Sequence, residues 1–112
     1  MARAQPLQCP FCENYLIAPV DIKMKSLEIS GGICKCGAIY AMDRSGHNLG
    51  EIFMDALVFA CRGDIDRAMS LDPGDYESAD FDYNLQSNTV GGRAKIGKLS
   101  KIIFIKLHGD RN

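Results

Sequence analysis

Cys9-Pro10-Phe11-Cys12 and Cys34-Lys35-Cys36-Gly37, separated by residues 13 to 33, decide how this chain is read. Two cysteines this close on a tight turn can aim both sulfurs at one ion. Two such turns supply four sulfurs, the ligand set of a closed, tetrahedral structural Zn²⁺ site. The intervening segment is long enough for a hairpin that returns the second pair to the first. The expected ligands are Cys9, Cys12, Cys34 and Cys36, around one structural zinc ion.

Pro10 presets the first turn, and Gly37 follows the second pair where a residue without Cβ fits a tight turn. Tyr15, Leu16, Ile17 and Val20 read as a short strand that Pro19 interrupts. Met24 to Ile29 reads as a second strand, Gly31-Gly32 as a turn, and Ala38 to Met42 as a third strand.

Cys-x-x-Cys, a β-hairpin and Cys-x-Cys-Gly within three short strands resembles a zinc ribbon, over residues 7–42. The resemblance implies a zinc-binding role for Cys9, Cys12, Cys34 and Cys36 and nothing about partner or pathway. It is also similar to rubredoxin-like iron sites, which carry two Cys-x-x-Cys-Gly turns. The shorter second spacing and the lack of glycine after Cys12 point to zinc rather than iron. A thiol-redox reading of Cys9-Pro10-Phe11-Cys12 needs an apolar strand before the first cysteine and a helix starting at it. Residues 3–8 make a poor buried strand, and Ile17 and Pro19 make a poor helix.

The remaining composition limits the possibilities. At 112 residues the chain is expected to be one domain: the ribbon (7–42), a helical segment (48–71), and an acidic connector with a C-terminal strand (72–112). A core this small makes a metal bound with on the order of 10 kcal/mol a large part of its stability. Five cysteines cannot all pair within one chain. The first residues show no apolar signal region, which gives a cytoplasmic, reducing location as the expectation. The longest apolar runs, 52–61 and 102–105, are too short to span a membrane.

Asn48 is placed to cap a helix with Glu51 three residues on, an amide version of the capping box. Leu49, Ile52, Phe53, Ala56, Leu57, Ala60 and Cys61 then recur at helical spacing. Gly63 reads as the stop, at the C′ position. Asp64 caps a second helix from Ile65 to Leu71, with Ile65, Ala68 and Met69 inward, and Asp72-Pro73-Gly74 ends it. Asp64 and Asp66 at that helix's start would repel phosphate, which argues against helix-turn-helix DNA reading. Cys61 reads as a small buried hydrophobe, and His47 as a residue that orients its turn.

Net charge is −1, unevenly spread. Residues 72–92 carry five acids and no base; residues 93–112 carry six bases and one acid. Asp75, Glu77, Asp80 and Asp82 among Tyr76, Phe81 and Tyr83 read as an acidic loop pinned by aromatics. Asn84 to Val90 reads as a strand, and Gly91-Gly92 as a turn. Lys101 to Leu107 is a strand with Ile103, Ile105 and Leu107 on one face and Ile102 and Phe104 on the other.

The fold expected is α+β: zinc-ribbon hairpins, a two-helix segment and a C-terminal strand or hairpin. No nucleophile–base pair or paired-carboxylate pattern points to catalysis, so the chain reads as a non-enzyme. A structural zinc protein that meets another protein, as an interaction module or adaptor, is the leading reading. A nucleic-acid version would place Arg93, Lys95, Lys98 and Lys101 on phosphates. A rubredoxin-like or thiol-redox protein is the third. Oligomeric state stays open.

Overall fold

A computed structural model of the chain describes residues 5–24, 27–43, 49–85, 87–90 and 100–108, with the backbone alone at 24, 27, 49 and 50. The elements in order are β1 (Gln5–Pro6), β2 (Val20–Met24), β3 (Leu27–Ile33), β4 (Ile39–Met42), α1 (Leu49–Ala60), α2 (Ile65–Met69), a 3₁₀ turn (Pro73–Asp75), β5 (Tyr76–Asn84), β6 (Thr89–Val90) and β7 (Ser100–Leu107). The seven strands among the described residues form one antiparallel sheet, in the order β1-β6-β5-β7-β4-β3-β2. The mixed α+β class agrees with the sequence reading.

β7 lies near the middle of the sheet, between β5 and β4. Its sequence explains this place. Ile102, Ile103, Phe104 and Ile105 are all buried, so both faces of the strand must be covered. On one face Ile103, Ile105 and Leu107 pack with Ile39, Ala41 and Ile29 beneath α1, against its Ile52, Ala56, Leu57 and Phe59. On the other, Ile102 and Phe104 pack with Tyr40, Met42, Tyr83 and Leu7. Phe104 meets Tyr40 and Phe81 with ring centroids 5.8 and 5.9 Å apart. The second face is covered by the N-terminal segment that carries Cys9 and Cys12.

Several local expectations change. The acidic connector is not a loop. Tyr76 to Asn84 is the nine-residue strand β5, and Tyr76 to Tyr83 pair with Leu107 to Ser100. Ala79, Phe81 and Tyr83 turn toward the aromatic core, while Asp80 and Asp82 stay exposed. Cross-strand pairing with β7 outweighs the poor strand propensity of the acids. Asn84 and Thr89–Val90 are in strands as expected, but a turn separates them.

The strand expected over Tyr15 to Val20 is a single bridge, Gln8 to Tyr15, and β2 starts only at Val20. Pro19 cannot donate to a ladder, which fits that late start. Gly31 and Gly32 are not a turn; they lie inside β3, opposite Ala41 and Tyr40. A Cβ at Gly31 would run into the Tyr40 backbone carbonyl, and one at Gly32 into the Tyr40 ring. Close approach, not chain reversal, requires these glycines.

At the end of α1 the chain makes a Schellman turn: Gly63 N–H donates to the Val58 carbonyl and Arg62 N–H to that of Phe59. The C′ residue is therefore Arg62, at φ 60°, with Gly63 following at φ 87°. Asp64 caps α2, its carboxylate accepting from Arg67 N–H at 3.0 Å. Only Ala68 of α2 is buried; Ile65 and Met69, expected inward, are exposed. A helix this short can turn little more than one residue onto α1. Cys61 is buried in the core under α1. Asn48 and His47, and the turn expected at Gly91-Gly92, lie outside the described residues. No helix among the described residues is long and apolar enough to cross a membrane.

Candidate metal centre

The two cysteine turns are built differently. In the first, Cys9 N–H donates to the Asn14 carbonyl at 2.9 Å, and Glu13 N–H to the Cys9 carbonyl at 2.8 Å. This closes a loop with Glu13 at φ 68°, a left-handed conformation uncommon outside glycine and asparagine. In the second, Cys34 N–H donates to the Ala38 carbonyl at 2.8 Å, and Gly37 N–H to the Cys34 carbonyl at 3.0 Å. Gly37 sits at φ 98°, which accounts for glycine at that position.

The fold brings the two turns together. The sulfurs of Cys9, Cys12, Cys34 and Cys36 all lie within 4.8 Å of one another. Cys12 Sγ is 3.3 Å from Cys34 Sγ, and Cys9 Sγ is 3.7 Å from Cys36 Sγ. A tetrahedral zinc with bonds of about 2.3 Å sets its sulfurs about 3.8 Å apart, inside this range. The residues expected as ligands thus form one cluster of a size that could hold a metal ion, consistent with a zinc-ribbon-like site.

Comparison of the chain with protein-family models, curated proteins and solved structures finds no match. The reading of this centre therefore rests on its own geometry.

The four cysteines are not equally covered. Cys9 and Cys34 are buried against Ala38, Leu16 and Phe11, while Cys12 and Cys36 are half-buried. Burial pushes the Cys9 thiol up to about 12 and the Cys34 thiol upward as well. Cys12 is held down to about 7, chiefly by a hydrogen bond from the Asn14 backbone, with a smaller contribution from Cys34. The Asn14 side-chain amide also donates to Cys12 Sγ at 3.2 Å. Four thiolates packed this closely repel one another; protons or a cation must neutralise them. A soft dication suits the donor set.

Three residues that the motif did not single out position the centre. Tyr40, four residues beyond Cys36, is buried and donates its hydroxyl to the Ile17 carbonyl at 2.9 Å. Asn88 Nδ2 donates to the Leu16 carbonyl at 3.2 Å, and the Asn88 carbonyl accepts from Leu7 N–H at 2.9 Å. Tyr83, fully buried, donates to Asn88 Oδ1 at 2.6 Å. The arms entering and leaving the first cysteine turn are thus tied to β4 and to the β5–β6 hairpin. The available signal was a phenol placed within an apolar strand, as in Ile39-Tyr40-Ala41-Met42, since a buried hydroxyl needs a partner.

Of the basic residues considered for phosphate contact, Arg93, Lys95 and Lys98 lie outside the described residues. Lys101 pairs with Asp82, its cross-strand neighbour, at 2.9 Å.

Proposed function

We propose that this chain is a structural zinc protein and a non-catalytic module that presents a surface to another protein. The convergence of four sulfurs from residues 9–12 and 34–36 supports the structural-metal half of this reading. Zinc fits better than iron because the second spacing is Cys-x-Cys. Four thiolates fill a tetrahedral zinc and leave no position open to water or substrate, which supports a structural role rather than hydrolysis. The ion would join the N-terminal segment to the β3–β4 connection, so that Leu7, Phe11 and Leu16 stay on the second face of the sheet.

A protein partner is preferred to nucleic acid. Net charge is −1, and Lys101 is already engaged by Asp82. The test is elemental analysis of protein purified without added metal. Colourless protein with one tightly held zinc per chain is expected. Coloured protein with iron, or a chain that holds no metal, overturns the reading. Affinity capture with the zinc-loaded protein then addresses the partner, and salt-sensitive retention of RNA or DNA in place of protein would favour the nucleic-acid version.

A further inference from the structure

The sheet ends on two unequal edges. At one, β1 is two residues long and includes Pro6, which has no N–H to offer. Shortness and proline both discourage further pairing there. At the other, β2 has five residues and no proline, and among the described residues it pairs with β3 alone. No strand of the described residues lies on its outer side, and an edge so placed can pair with a further strand. Val20 at its start is 51% exposed, and Asp21 and Lys23 are exposed too.

Charges on an edge strand ordinarily keep other strands away. Those on β2 are complementary to themselves. Asp21 and Lys23 flank Ile22 and share one side of the strand, because side chains alternate with period two. If a second copy lies antiparallel and centred on Ile22, each Asp21 faces Lys23 of the other copy, and Ile22 faces its own equivalent. Centring on Asp21 sets two carboxylates opposite each other, and centring on Lys23 sets two ammoniums. Parallel pairing in register does both. A one-residue slip moves every side chain to the wrong face. The sequence therefore singles out one register.

The neighbouring strand continues the pattern. In β3, Glu28 lies opposite Lys23, with Nζ and Oε2 3.8 Å apart, and the Ser30 hydroxyl donates to Asp21 Oδ1 at 3.1 Å. Across two copies the row runs Glu28, Lys23, then Asp21 and Ser30 of the second copy, with charges alternating in sign.

We propose that two copies of this chain associate through β2, antiparallel about Ile22, and extend the sheet continuously across a two-fold axis. The contact is self-complementary and closes on itself, so the product is a dimer and not a filament.

Sedimentation velocity on the metal-loaded full chain, from about 1 μM to about 1 mM, tests this. The 12.3 kDa species is expected to give way to one of twice that mass as concentration rises. Asp21→Lys and Lys23→Asp should each raise the dimer dissociation constant by about tenfold or more, because like charges then face each other. The double variant D21K/K23D should restore the wild-type constant. Mixing the two single variants should yield a heterodimer as tight as wild type, since each then supplies the charge the other lacks. Circular dichroism and bound-metal stoichiometry check that the variants fold; if a single variant does not, the double variant still reads the register. A chain that stays monomeric throughout, assembles beyond a dimer, or forms a dimer whose constant ignores these charge changes overturns the proposal.

Discussion

The Tyr83 hydroxyl donates to Oδ1 of Asn88 across 2.6 Å, and through that amide it holds the first cysteine turn without touching a sulfur. Asn88 sits at φ 54°, a left-handed conformation that asparagine tolerates better than most residues. From there its amide and carbonyl reach Leu16 and Leu7, the two arms of the turn. The cysteine cluster is thus anchored by a residue of the β5–β6 turn more than fifty positions downstream of its last member, Cys36.

Tyr83→Phe leaves Asn88 Oδ1 without its donor and is expected to cost about 1–2 kcal/mol in denaturant unfolding. Asn88→Gly keeps the left-handed backbone accessible but removes both side-chain bonds. The two changes share one interaction, so the double variant should lose less than the sum, by about 1 kcal/mol. Full additivity would show that the pair is not coupled.

Burial pushes the Tyr83 phenol up to about 12, while an unfolded tyrosine titrates near 10. The folded state therefore holds its proton where the unfolded state has released it. Stability from this group is complete below about pH 10 and is lost as pH rises toward about 12. Tyr40, also raised by burial, acts in the same direction. In Tyr83→Phe the alkaline decline in unfolding free energy should be shallower than in wild type; an identical decline would assign it to other groups.

Gly31→Ala is expected to destabilise by about 3 kcal/mol, because its Cβ meets the backbone of Tyr40, which cannot move without breaking the β3–β4 ladder. Gly32→Ala meets the Tyr40 ring and should cost less, about 1–2 kcal/mol. Thermal melts that rank the two in the opposite order would contradict the close-approach explanation.

Chelation should remove the cooperative melt. A structural zinc would contribute on the order of 10 kcal/mol, comparable with the whole stability of a domain this size. Near-ultraviolet circular dichroism is expected to collapse with a strong chelator and to return on adding zinc. A chelated protein with an unchanged melting curve would deny the ion any structural role.

Cys34→Ser and Cys61→Ser separate ligand from filler. Both positions are buried. Loss of Cys34 should abolish stoichiometric metal retention. Loss of Cys61 should leave one metal per chain and lower stability by about 1–3 kcal/mol, the cost of a hydroxyl without a partner in an apolar core. Metal loss from the Cys61 variant would require a new account of that residue.

The amino-acid sequence alone determined the elements whose cause is local. Cysteines two and three residues apart with glycine after Cys36, the helical spacing from Ile52 to Cys61, the Asp64 cap and the two-sided strand at 102–107 are each written within a few residues. Tertiary structure decided what depends on a distant neighbour. Gly31-Gly32 has the local signature of a turn, yet Tyr40 on the adjacent strand makes it the middle of β3. The acids of β5 form a poor strand alone and a good one beside β7. Asn88 became an anchor only when folding brought Leu7, Leu16 and Tyr83 around it. Spacing along the chain fixes which groups can act together within a turn, but partners across a sheet are chosen by packing, which no short window of sequence contains.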